Sequence, residues 1–81
     1  MTGREEFSVY QYFPDDSYEL VFDYVDAETA VVAAEQLSRS VGARIGTTRR
    51  IIITDGGDFT VFEWKFGEGV TFPTPLQRGM A

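Results

Sequence analysis

The sequence predicts an α+β domain in the order ββαββ: a four-stranded, mostly antiparallel sheet with one helix packed on one face. Three observations lead there. Residues 49–66, RRIIITDGGDFTVFEWKF, hold two strand-like runs around Gly56-Gly57, bracketed by Asp55 and Asp58, which is a strong hairpin signal. Residues 7–25 alternate on either side of Pro14-Asp15-Asp16-Ser17, where Pro fixes φ and the Asp and Ser side chains cap backbone groups. Between the hairpins, Ala30, Ala34, Leu37 and Val41 recur at helical spacing.

The elements follow in order. Met1–Glu5 is a short lead. In residues 7–13, Phe7, Val9, Gln11 and Phe13 point one way and Ser8, Tyr10 and Tyr12 the other. In residues 18–25, Tyr18, Leu20, Phe22 and Tyr24 share a face. Pairing Phe13 with Tyr18 across the turn sets Val9 opposite Phe22 and Phe7 opposite Tyr24, so one face becomes almost wholly apolar. Asp26 is suited to N-cap a helix over residues 27–41, with Glu28 in its first turn, Glu35 and Arg39 as an i,i+4 pair and Gly42 as its stop. With Gly56-Gly57 at the tip of the second hairpin, Ile51 faces Phe62, Arg49 faces Trp64 and Arg50 faces Glu63. Val70–Phe72 could add a short fifth strand to the four before Pro73. Residues 1–73 make one domain, and 74–81 a tail without regular structure. The helix then covers Phe7, Val9, Leu20, Phe22, Ile51, Ile53, Phe62 and Trp64.

Composition narrows the function. A chain of 81 residues is one domain with a small core. It has no Cys and no His, which removes disulfides, thiolate and imidazole metal sites, and the usual catalytic bases and nucleophiles. Seven Phe, four Tyr and one Trp, with the Ile51-Ile52-Ile53 run, are expected to supply the stability. The net charge of −6 argues against direct binding to nucleic acid or to anionic membranes, and favours solubility or a basic partner. No run approaches a membrane span and the N-terminus lacks an apolar signal core, so the expected location is cytoplasmic, or a host cytoplasm for a viral gene. The charge is uneven: residues 1–36 carry −8, 37–50 carry +4 and 51–81 carry −2.

The sheet face away from the helix is the candidate interaction surface. It is expected to display Tyr10, Tyr12, Val21, Ile52, Phe59 and Val61, rimmed by Glu19, Asp23, Arg50, Glu63 and Lys65. Aromatic and aliphatic anchors inside a polar border are the composition of a protein interface. The first expectation is therefore a non-catalytic protein-interaction module, a homodimer joined through the open face or edge of its sheet. The alternative is an acidic inhibitor or nucleic-acid mimic. Asp15, Asp16, Glu19, Asp23, Asp26 and Glu28 would imitate a phosphate backbone and occupy the groove of a basic, nucleic-acid-binding protein. In size and charge alone, the chain resembles small acidic inhibitors encoded by phages.

A third reading is a small enzyme using paired carboxylates among Glu19, Asp23 and Glu63, which would need a cleft that 81 residues scarcely provide. Asp15-Asp16 and Asp55/Asp58 lack the ligand spacing of a calcium loop and read as turn caps. The glycines never take a phosphate-loop spacing, so no metal and no cofactor is expected. Arg39, Arg44, Arg49 and Arg50 form a basic cluster suited to an anion or an acidic protein. Arg44 and Arg49 have no structural duty legible in the sequence.

Overall fold

Three consecutive isoleucines mark the centre of the sheet. In the computed structural model, which describes residues 5–73, β3 (Arg50–Thr54) lies between β1 (Phe7–Tyr12) and β4 (Thr60–Lys65). The flanks are β2 (Tyr18–Val25) and β5 (Gly69–Phe72), giving the order β2-β1-β3-β4-β5 with every neighbouring pair antiparallel. A five-residue strand buried on both faces needs a continuous apolar run, and Ile51, Ile52 and Ile53 supply it. The α+β class agrees with the sequence expectation, and the expected four strands are five, the short strand at the end of the domain joining the sheet. The segment 74–81 and nearly all of the lead lie outside the described residues.

Helix α1 (Ala27–Ser38) crosses β1, β2 and β3 on one face. Its start is as expected: Asp26 caps it, accepting from the Thr29 backbone N–H at 2.8 Å. Ala30, Ala33 and Ala34 bring it close to the sheet, where Val9, Ile51 and Ile53 are the largest fully buried side chains. Burial of each of those three is worth about 1.5–3 kcal/mol.

The helix does not run on to Val41. The Ser38 and Ser40 hydroxyls donate to the carbonyls of Glu35 and Leu37, offering the backbone an alternative to further helix. Ser40 then caps a second helix, α2 (Val41–Ile45), by accepting from the Ala43 N–H at 3.1 Å. One expected helix is therefore two. Gly42, the expected stop, lies inside α2, and Gly46 ends it in the left-handed region at φ 93°. Gly42 is needed for space: a Cβ there would lie 2.8 Å from Thr48 Oγ1. Val41 is exposed, and Arg39 makes no ion pair with Glu35 among the described residues.

Both hairpins turn by the same device, which differs from the expected one. In the first, the Asp16 N–H donates to the Phe13 carbonyl and the Phe13 N–H to the Ser17 carbonyl. In the second, Asp58 N–H donates to Asp55 and Asp55 N–H to Phe59. Asp16 and Asp58 take positive φ, 70° and 66°, while Gly56 and Gly57 do not. These are three-residue loops built on a turn followed by a left-handed residue. The expected loops had four and two residues. Each is off by one, and one residue of slip exchanges the faces of a strand.

A bulge then restores the expected faces in each hairpin. Tyr12 pairs with Tyr18 and Tyr10 with Leu20, but beyond the irregularity at Val21 the expected Val9–Phe22 pair returns. Thr54 pairs with Thr60, but beyond Val61 the pairs are Ile53–Phe62 and Ile51–Trp64, keeping the expected faces with partners two residues along. Only the stretches between turn and bulge change sides. Leu20, expected under the helix, pairs with Tyr10 on the open face. Val21 packs against the core and Val61 lies beside Phe7, Val31 and Phe62. A further irregularity pairs Phe7 with Val25 in place of Tyr24, which has φ 55° and is exposed.

The core is aliphatic, a second correction. None of the Phe, Tyr or Trp side chains is fully buried; all stand at its margin or outside it. Two stability outcomes follow. Asp55→Ala removes the carboxylate that accepts from the Gly57 and Phe59 N–H groups, and should cost about 1 kcal/mol in urea unfolding. Ile53→Ala, which empties the fully buried centre of the core, should cost about 2–5 kcal/mol by the same measurement.

Candidate interaction surface

The β1–β2 half of the open face is built from Tyr10, Tyr12, Tyr18 and Leu20, two directly opposed pairs on neighbouring strands. The Tyr18 ring meets Tyr10 edge-on with centroids 5.7 Å apart and meets Tyr12 at 5.3 Å. Such contacts prefer this geometry because the ring edge is electropositive and its face electronegative. Tyr10's phenol is pushed up from its ordinary pKa by desolvation and by the charges of Asp23 and Asp58. Ile52 lies beneath, opposite Tyr10 and Glu63, and is 6% exposed.

Beyond Ile52 the face becomes polar. Arg50 lies over the Tyr12 ring, 5.0 Å from its centroid, and its Nε donates to Glu63 Oε2. Thr71 Oγ1 donates to Glu63 Oε1 at 2.7 Å. The expected Arg50–Glu63 pair thus forms, but diagonally: Lys65 is directly opposite Arg50. Burial raises the Glu63 pKa, but the Thr71 and Arg50 hydrogen bonds and the Arg50 and Lys65 charges outweigh it, so the net shift is downward.

Three of the six residues expected on this surface come together: Tyr10, Tyr12 and Ile52. Val21 and Val61 are taken to the helix side by their bulges. Phe59 stands apart at the second hairpin tip, 72% exposed, against the Gly57 backbone. Sequence reasoning missed Tyr18, Leu20 and Thr71. The missing signal was loop length: an Asp before the last turn residue fits the left-handed position, which would have moved Tyr18 and Leu20 to this face.

The edge strand β2 is the most exposed element of the sheet. Tyr18, Leu20, Phe22 and Tyr24 are 61%, 44%, 43% and 69% exposed. Phe22 opens onto a groove of about 320 Å³ that it shares with Val32 and Gln36 of α1. The strand has eight residues and contains no Lys and no Pro. The opposite edge, β5, has four residues and is followed by Pro73.

The acidic residues follow this edge. Asp15 accepts from the Ser17 N–H and hydroxyl, Glu19 from Gln11, Asp23 from Ser8 and Asp26 from Thr29. Hydrogen bonds from Ser17 and Thr29, side chain then backbone, hold Asp15 and Asp26 below the usual carboxylate pKa. Gln11 also accepts from Thr48 at 2.9 Å, tying Glu19 to the helix side. Asp16 occupies the turn and Glu28 the first turn of α1. Glu19, Asp23 and Glu63 do not converge. Glu19 and Asp23 leave opposite faces of β2, and β4 is three strands away, about 14 Å. Among the described residues no group of three or more carboxylates is placed to hold a metal ion, and no helix is long and apolar enough to cross a membrane.

The Glu63 shift fixes a sign for pH. A carboxylate with a lowered folded pKa stabilises above its unfolded value, near 4, and loses that contribution as pH falls through the lower folded value. Glu63→Gln should therefore cost about 1 kcal/mol at pH 7 and flatten the stability loss below pH 4, read from urea midpoints across the acid range. No protein-family model, no curated protein and no solved structure matches this chain.

Proposed function

We propose that this chain is a non-catalytic protein-interaction module that docks through edge strand β2, and that its partner is a second copy of itself. The observation that carries the reading is the long edge with Tyr18, Leu20, Phe22 and Tyr24 exposed. Alternate backbone N–H and C=O groups of β2 point away from β1. Glu19, Asp23 and the irregularity at Val21 guard β2 in part, whereas β5 is blunted by its shortness and by Pro73. Antiparallel pairing of two β2 strands would continue the sheet, extend the tyrosine face across the seam and let the partner cover the groove beside Phe22. A strand of eight residues spans about 27 Å.

A second reading keeps the edge and changes the partner. Asp15, Asp16, Glu19, Asp23, Asp26 and Glu28 lie on the turn before β2, on β2 and at the start of α1, so a basic protein would find apolar and acidic groups together. Salt separates the two readings. In a homodimer the Glu19 and Asp23 charges of both copies approach each other, so screening should strengthen association. With a basic partner, screening should weaken it.

Sedimentation velocity should show a concentration-dependent dimer that tightens between 0.05 and 0.5 M salt, a range of roughly threefold in Debye length. Leu20→Lys should abolish the dimer and leave the circular-dichroism spectrum unchanged. A monomer at all concentrations, or a dimer untouched by Leu20→Lys, would sink the self-association reading.

A further inference from the structure

The other concave feature lies where the β1–β2 turn meets the ends of β3 and β4. Three cations, Arg49, Arg50 and Lys65, and three rings, Tyr12, Phe13 and Phe66, line a cleft of about 210 Å³. The chain has seven Lys and Arg in all, against thirteen acids, so gathering three of them in one cleft needs a cause. The arrangement carries a local cost. Arg50 and Lys65 are direct cross-strand partners, and like charges directly opposite destabilise a sheet. Glu63 binds Arg50 from the side, but among the described residues neither Arg49 nor Lys65 has an ion-pair partner. The guanidinium groups are also held in place: Arg49 lies 5.0 Å from the Phe66 centroid and Arg50 the same distance from Tyr12.

We propose that this cleft binds the phosphoryl group of a small phosphomonoester. A dianion with three outer oxygens is what two guanidinium forks and an ammonium recognise best, and it relieves the repulsion between Arg50 and Lys65. The remaining charges set the size limit. Arg50 and Lys65 are half-buried, whereas Arg49, Asp16 and Glu68 are exposed, the two acids in the turns after β1 and β4. A single phosphoryl group reaches the cations; the next phosphates of a polyanion would meet those carboxylates. The volume is below the usual range for drug-sized ligands, roughly 300–1,000 Å³, and suits one phosphoryl group with a small apolar body against Phe13.

The test is an amide NMR titration of the full chain with phenyl phosphate, inorganic phosphate, benzoate and a short oligonucleotide. Phenyl phosphate should give saturable shifts at Tyr12, Arg49, Lys65 and Phe66, with inorganic phosphate weaker at the same residues and benzoate at least about tenfold weaker. Lys65→Gln and Arg49→Gln should each weaken phenyl phosphate by about tenfold, with the remaining spectrum unchanged as the folding control. The pair Asp16→Asn and Glu68→Gln leaves the cations in place and should tighten it. Unsaturable drift, equal shifts at Arg39 and Arg44, benzoate as good as phenyl phosphate, or tighter binding of the oligonucleotide would each overturn the proposal. Sedimentation reads association through the β2 edge and the titration reads shifts at the cleft, so the two outcomes are distinguished.

Discussion

Which side of a strand each residue occupies is the constraint on which this molecule depends. One residue of slip exchanges the faces of a whole strand, and each hairpin contains such a slip, produced by an Asp in the left-handed region. Each also contains a bulge that restores the expected faces before the strand reaches the core. Val9, Ile51 and Ile53 consequently meet the alanines of α1 as a simple alternating pattern would have them. Turn and bulge act as a pair: the loss of either alone would place Phe22 or Phe62 on the wrong side of its sheet.

The same pairing explains why so much aromatic surface is left outside. A core made from three alanines of α1, a valine and two isoleucines is close-packed and thin. Rings do not fit between a helix and a sheet that approach so closely, so they gather at the margins. Between each turn and its bulge the alternation is reversed, and there Tyr18 and Leu20 are carried to the face of Tyr10 and Tyr12. The exposed face is thus a product of the hairpin geometry, and it lies next to the one long edge of the sheet.

Much of this was legible in the sequence, and the rest failed for nameable reasons. The helix start at Asp26, the buried faces of β3 and β4 and the Arg50–Glu63 pair rest on signals several residues long, and these survive a local error. The Val9–Phe22 pair was also legible, although the register leading to it was not: two local errors of opposite sign cancelled. Loop length depends on a single residue's φ, and Asp16 and Asp58, whose type equally suits a cap, supply the left-handed position. Ser40 acts just as locally. Its hydroxyl outweighed the apolar spacing that reached to Val41, because one cap satisfies backbone groups that an exposed valine does not. For the candidate surface, the tyrosines were legible and the bulged valines were not. A bulge leaves no mark in hydrophobic alternation until its partner strand is known.

The charge pattern gains meaning only in three dimensions. Along the chain it is an acidic first half followed by a basic segment. In space the acids follow β2 and the start of α1, while Arg49 and Arg50 are joined by Lys65 from a later strand at the far ends of β3 and β4. Asp16 touches both regions, since the turn that ends β1 also forms part of the cleft. The two surfaces therefore share one element but answer to opposite electrostatics. On the proposed readings, an edge lined by carboxylates would disfavour a second copy of itself until the charges are screened, whereas a cationic cleft would hold an anion best when they are not. A rise in ionic strength would then move this chain toward association and away from the anion with no change of conformation, because the two effects arise from charges of opposite sign on either side of one turn.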